Sequence, residues 1–272
     1  MLHENVLKFS RFRYLKWMTL LVLGSVIAYV WDQPETVPNG GTWLGYTLGT
    51  IGALMILWLM LFGVRKRAYR SRLGSVKGWL SAHVYMGVAL VVVATLHTGF
   101  QFGWNIHTLA YALMMAVILS GMWGIYVYFR NPALMSGVLD GKTLQDLGGT
   151  LRELDARSKR LAGKLSPDLQ ALVARSAEAA IVGPLFGRFR AQVMACPTRR
   201  AVATLEPLAR QDDRAVRDLY ALQFQRLSIL DEIRSFVRLK AWTDLWLLVH
   251  VPLSFALLAT LTAHIVAVFF YW

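Results

Sequence analysis

Five of the six histidines in this 272-residue chain lie in or beside strongly apolar runs: His83, His97, His107, His250 and His264. An ionisable ring in such a run is costly and is functional by default. The spacing narrows the chemistry. His83 and His97 are 14 residues apart, and so are His250 and His264. On an α-helix that interval falls about 40° short of four full turns and rises about 21 Å, so each pair shares one helix face and reaches towards both edges of a span. Two facing pairs of this kind suit a planar macrocycle whose iron takes two axial imidazoles at one depth. A zinc centre would want four ligands at one point. His3, in the terminal segment, reads as a surface residue.

The elements that must carry these histidines are membrane spans. Hydrophobic residues make up 56%, charged residues 17%, and mean hydropathy is +0.44. A soluble domain has roughly 45–50% and about 25%. Apolar runs of bilayer-crossing length cover about 15–31, 43–64, 80–103, 107–129 and 245–271. The expected fold is all-α: an integral membrane bundle of five transmembrane helices with a helical cytoplasmic insert between the fourth and fifth. Residues 1–129 hold the first four spans, 130–243 the insert, and 244–272 the span that completes the bundle. The first span is not a cleavable leader, because Trp31, Asp32, Gln33 and Pro34 match no small-residue cleavage site.

Charge predicts the orientation. Four Lys and Arg precede the first span, six lie between the second and third, and nineteen lie in 130–243; the loops 32–42 and 100–107 hold none. By the positive-inside rule the N-terminus is cytoplasmic and Trp272 ends on the opposite side, as in a multi-pass protein of a bacterial inner (plasma) membrane. Spans three and five then run the same way, pairing His83 with His250 near the cytoplasm and His97 with His264 near the outer surface. Trp17, Trp31, Trp43, Trp79, Trp104, Trp242 and Trp272 lie near span ends, as an interfacial belt requires. The net charge of +13 therefore speaks for a lipid surface, and no basic groove with exposed aromatics argues for nucleic acid.

Within the insert, Asn131-Pro132 is expected to end the fourth span. Leu144, Leu147, Leu151, Leu154 and Leu161 predict a helix over 143–163, and Ser166-Pro167-Asp168 opens another to about 182. Pro184, Pro197 and Pro207 punctuate the middle, and a helix from about 212 carries Val216, Leu219, Leu227, Leu230, Ile233 and Val237 on one side and can continue into the fifth span. No phosphate loop, dinucleotide or flavin motif occurs. Cys196 is the lone cysteine, and with no C-x-x-C-H a covalently attached haem is not expected.

Two helices that each carry His, thirteen residues, His, with Gly87 one turn after His83, resemble the di-haem membrane cytochromes b. That group includes cytochrome b of the quinol-oxidising respiratory complexes and the ferric-reductase and NADPH-oxidase group. The resemblance spans the second to fifth apolar runs. It implies two non-covalent haem b groups with bis-histidine iron, the axial roles falling on His83, His97, His250 and His264. Gly87 and Gly99 would then allow close approach of the rings, although small residues such as Gly45, Gly49 and Gly52 equally serve helix packing. Arg65, Arg67 and Lys77 would neutralise inner propionates. Gln101, Trp104, Asn105 and His107 would hydrogen-bond the outer ones, with His107 also a candidate quinone partner.

The function expected on this basis is electron transfer across the membrane, as a subunit of an oxidoreductase complex. Without flavin or nicotinamide motifs, electrons come from quinol or from a redox partner docked on the insert or the outer haem face. Two alternatives stand beside it. A histidine-relay proton or ion transporter would want intramembrane carboxylates, and the span cores hold none. A membrane anchor that recruits a soluble partner through the insert leaves the histidine spacing unexplained.

Overall fold

The computed structural model describes residues 6–34, 37–68, 72–139, 141–178, 196–211 and 213–270. All regular structure among them is helical: a 3-10 turn at Val6–Lys8, then α1 (Phe9–Trp31), α2 (Trp43–Arg67), α3 (Val76–Thr98), α4 (Ile106–Leu139), α5 (Leu144–Ala162), α6 (Pro167–Ala177), α7 (Pro197–Ala209) and α8 (Arg214–Phe270). Five of these helices are long and apolar enough to cross a membrane, and α8, at 57 residues, holds the fifth crossing segment. The chain divides into two units, Met1–Trp123 with Leu248–Trp272, and Gly124–Leu247. Both α4 and α8 contribute to each.

In the first unit, helix starts follow side-chain chemistry. Thr42 accepts the Gly45 N–H and Ser75 accepts the Gly78 N–H, each satisfying an orphan donor of the first turn. Helix α3 is central: Leu90 and Val93 are fully buried among Leu44, Leu48, Met55 and Ile56 of α2, Met114 of α4 and Leu257 of α8, with Met18, Leu21 and Val22 of α1 packed against them. The opposite faces carry exposed Leu20, Leu23, Ile27, Leu54, Leu61, Phe255 and Phe269. In water that band would far exceed the apolar patches of a soluble monomer; against lipid it is the expected outer surface.

The second unit has its own core. Leu147, Leu151 and Leu154 of α5 meet Leu227, Leu230 and Ile233 of α8 and Val202 of α7, while Val173, Leu205, Val216 and Leu219 form a second cluster with Ala162. The apolar faces expected on α5 and the long helix thus cover one another. A capping box fixes the start of α5, with Thr143 and Asp146 bonding each other's backbone N–H. Those backbone and hydroxyl donors from Thr143 hold the Asp146 carboxyl below the usual carboxylate range. A cleft of about 520 Å³ lies between α6, α7 and the start of α8, lined by Asp168, Leu172, Leu208 and Asp213 among others.

Three boundaries differ from expectation. The third span ends at Thr98 rather than 103, because Gly99 takes the left-handed conformation (φ 57°) that closes a helix. The fourth continues through Asn131-Pro132 to Leu139. Buried Asn131 there donates to the Leu239 carbonyl (2.8 Å) and Thr243 Oγ1 (3.1 Å), tying α4 to α8 where proline weakens the ladder. Pro207 lies inside α7 instead of between helices. Helix α6 runs to Ala177, and residues 179–182 of the expected helix, with Pro184, fall outside the described residues, as does Trp272.

Candidate functional site

Five histidines of the first unit sort into two groups along the bundle. At one level the rings of His97 (α3) and His264 (α8) have centroids 6.0 Å apart, with planes at 86°. His107, at the start of α4, stands against His264 at 4.6 Å, and the two Nδ1 atoms are 2.5 Å apart. At the other level His250 is close enough to His83 for their rings to interact electrostatically. Phe62 packs on His83 at 5.0 Å. Since N-terminal faces N-terminal and C-terminal faces C-terminal histidine, α3 and the last segment of α8 run in the same direction.

The hydrogen bonds fix ring orientation and, at two positions, the tautomer. His97 Nδ1 lies 2.8 Å from the Gly45 carbonyl oxygen. A carbonyl can only accept, so Nδ1 carries the proton and, in the neutral ring, Nε2 carries the lone pair. His250 Nδ1 lies 2.8 Å from Ser120 Oγ, whose hydroxyl already donates to the Val117 carbonyl at 2.7 Å. With that donation Ser120 accepts from Nδ1–H, and the Val117 carbonyl, which can only accept, also faces the His250 ring. Metal-bound histidines use this arrangement, in which Nδ1–H is anchored and Nε2 ligates. The His83 Nδ1 atom is buried without a well-formed hydrogen bond, and the Leu59 backbone lies beside it.

Glycines make room for the rings. A Cβ on Gly49 would sit 2.6 Å from His97 Cε1 and 2.8 Å from its Nδ1, and one on Gly40 3.2 Å from Cε1. Only glycine fits at 49. Gly121 faces His250 Cε1 at 3.4 Å, whereas a Cβ on Gly87 would meet nothing within 4 Å. Gly99 backs onto Pro38, whose carbonyl oxygen would lie 2.1 Å from an added Cβ, so its small size serves the turn.

The other expected contacts scatter. Buried Arg65 donates to the carbonyls of Ala68 and Gly74 and so closes the loop between α2 and α3. Arg67 is exposed at the end of α2, and Lys77 is half-buried in the first turn of α3. Gln101 donates to the Pro38 carbonyl at 3.2 Å, Asn105 Oδ1 accepts the Thr108 N–H at 2.9 Å, and Trp104 is fully exposed. Of this set the structure brings only His107 into the histidine group. Sequence reasoning missed Ser120, whose signal is a hydroxyl in mid-span beside Gly121.

The three rings of His97, His107 and His264 do not converge on one point, and among the described residues no cluster of three or more His, Cys, Asp or Glu is arranged to hold an ion. Two histidines at each of two levels is a different arrangement from such a cluster. In the second unit, burial pushes the Cys196 thiol up, but the Arg199 N–H, the Arg234 guanidinium (Nη2 at 3.2 Å from Sγ) and the Thr198 N–H outweigh it and hold the thiol below its usual range. Its side chain is buried in the α5–α7–α8 core. Compared with known proteins, the chain matches no family model, no curated protein and no solved structure.

Proposed function

We propose that this membrane protein is a di-haem b-type cytochrome that carries electrons across the bilayer. His83 with His250 would hold one haem iron, and His97 with His264 the other. The observation that carries the reading is the shared state of His97 and His250: each ring is turned so that Nδ1–H is anchored to a neighbouring helix, which leaves the lone pair on Nε2, the nitrogen that ligation needs. Gly49, where a Cβ would strike His97, fits a site that holds that ring at close quarters. The 6.0 Å between the His97 and His264 centroids is near the roughly 6 Å expected for imidazoles on opposite sides of one ion at metal–nitrogen bonds of about 2 Å.

Bound haem would supply one-electron chemistry. The chain supplies four neutral imidazoles, a low dielectric and a separation between the two levels of about 21 Å along each helix. The basic residues before α1, between α2 and α3, and in the insert support a cytoplasmic side for the His83–His250 level. Quinol or a redox subunit on that side, docking on the insert, exchanges electrons with that level, and an acceptor or donor on the other side uses the His97–His264 level. A proton relay has the His107–His264 hydrogen bond in its favour. To reach His83 and His250 it would need further steps across about four helical turns.

Single variants test the pairing. His83→Ala and His250→Ala should remove one and the same haem, and His97→Ala and His264→Ala the other, read by redox-resolved absorption spectra. If His83→Ala and His264→Ala abolish the same haem, the assignment fails.

A further inference from the structure

We propose that His107 is a positioning residue for the ligand His264, an inference that rests on the cytochrome reading above. Three observations meet at this ring. His107 Nδ1 lies 2.5 Å from His264 Nδ1, the two planes are nearly perpendicular at 85°, and His97 stands 6.0 Å from His264. A nitrogen–nitrogen contact this short needs one proton between the two atoms. If His264 binds iron through Nε2, its Nδ1 carries that proton and His107 accepts it, with the His107 proton on its own Nε2.

His264 then gains the anchored Nδ1–H that His97 takes from Gly45 and His250 from Ser120. The difference is the acceptor. An imidazole nitrogen is a stronger base than a carbonyl or a hydroxyl, so it draws more electron density towards the His264 ring and raises its basicity as a ligand. The start of α4 therefore sets the orientation and electron-donating power of an axial ligand on α8. His107 itself touches neither iron nor substrate.

The test compares wild type with His107→Phe, His107→Leu and His107→Gln by haem count, redox titration and low-temperature EPR. Phe and Leu fill the space without an acceptor, and two apolar variants guard against a packing failure in one. Both should keep two haems. In both, the midpoint and EPR signal of one haem should shift, and that haem should dissociate about 10–100-fold more readily. Gln, whose amide oxygen accepts the same proton, should restore much of the wild-type signal. Unchanged midpoints and signals in Phe and Leu would overturn the proposal. So would loss of one haem in all three variants while His97→Ala keeps two, since His107 would then be the ligand. Wild type with no haem would instead overturn the cytochrome reading itself.

Discussion

Both units bury polar side chains, and the two sets are held in different ways. In the second unit Arg226, Gln223, Ser158, Ser176 and Thr198 are at most 1% exposed. They bond to one another: Gln223 Nε2 donates to Ser158 Oγ, Ser176 links Gln223 and Thr198, and Arg226 bonds Thr198 and pairs with Asp155 at 2.6 Å. The network joins α5, α6, α7 and α8 through groups matched to each other, which specifies how those helices pack. In the first unit, beside buried Ser25, Arg65 and Ser81, the half-buried imidazoles of His97, His250 and His264 are each held singly through Nδ1, by a carbonyl, a hydroxyl and another imidazole. A closed network explains itself as structure. Rings held singly through Nδ1 are what the proposed haem ligation through Nε2 needs.

The sharpest way to break this contrast is Arg226→Met. Removing one partner of a buried ion pair costs about 3–5 kcal/mol and strands Asp155 beside the α7 start. The second unit should become protease-sensitive at a lower temperature, while absorption from the first unit keeps both haem signals. Equal loss of the haems would show that the two networks act as one.

Gly49→Ala strikes the other side. Its Cβ would lie 2.6 Å from His97 Cε1, and overpacking of this kind costs about 1–3 kcal/mol. It should selectively weaken the haem held by His97 and His264. Gly63→Ala, where the added Cβ meets nothing within 4 Å, should leave both haems unchanged. Equal effects of the two glycines, measured by haem retention on dilution, would remove the specific role of Gly49.

Much of this arrangement was legible in the sequence because it rests on periodicity. The 14-residue interval put His83 and His97 on one face of α3, and Leu147, Leu151 and Leu154 marked the buried face of α5. What anchors the rings was not legible. The partner of His97 is a backbone carbonyl 52 residues away, and a carbonyl has no sequence signature. The passage of α4 through Pro132 was hidden for a related reason: the compensating bonds from Asn131 reach residues more than 100 positions along the chain. Arg65 was legible as a basic residue, but its destination, the Gly74 carbonyl, depends on how the loop after α2 folds back.

Ser120→Ala sharpens the comparison further, by removing the acceptor for His250 Nδ1–H without adding volume. The haem at His83 and His250 should lose about 10–100-fold in affinity, with the other unaffected, as read by competition for haem with an apo-acceptor. A wild-type affinity would show the Val117 carbonyl, the neighbouring backbone acceptor, to suffice.

The smallest effect belongs to the capping box. Thr143→Ala should lower the stability of the second unit by about 1 kcal/mol. In wild type the Asp146 carboxyl is held below its usual value. Its contribution is therefore fully present above the unfolded carboxylate range, about 3.9, and fades as the pH falls through the lower folded value. Thermal melts between pH 6 and pH 3, chosen as roughly bracketing that range, should lose less stability in the variant than in wild type. Parallel losses would show that the box is not formed in solution.

The central claim is the presence of two haems, and a pyridine haemochrome count on purified, folded protein tests it most directly. The account predicts two b-type haems per chain, both released by acid-acetone because no C-x-x-C-H is present to bind them covalently. A count of zero or one in well-folded protein would contradict it.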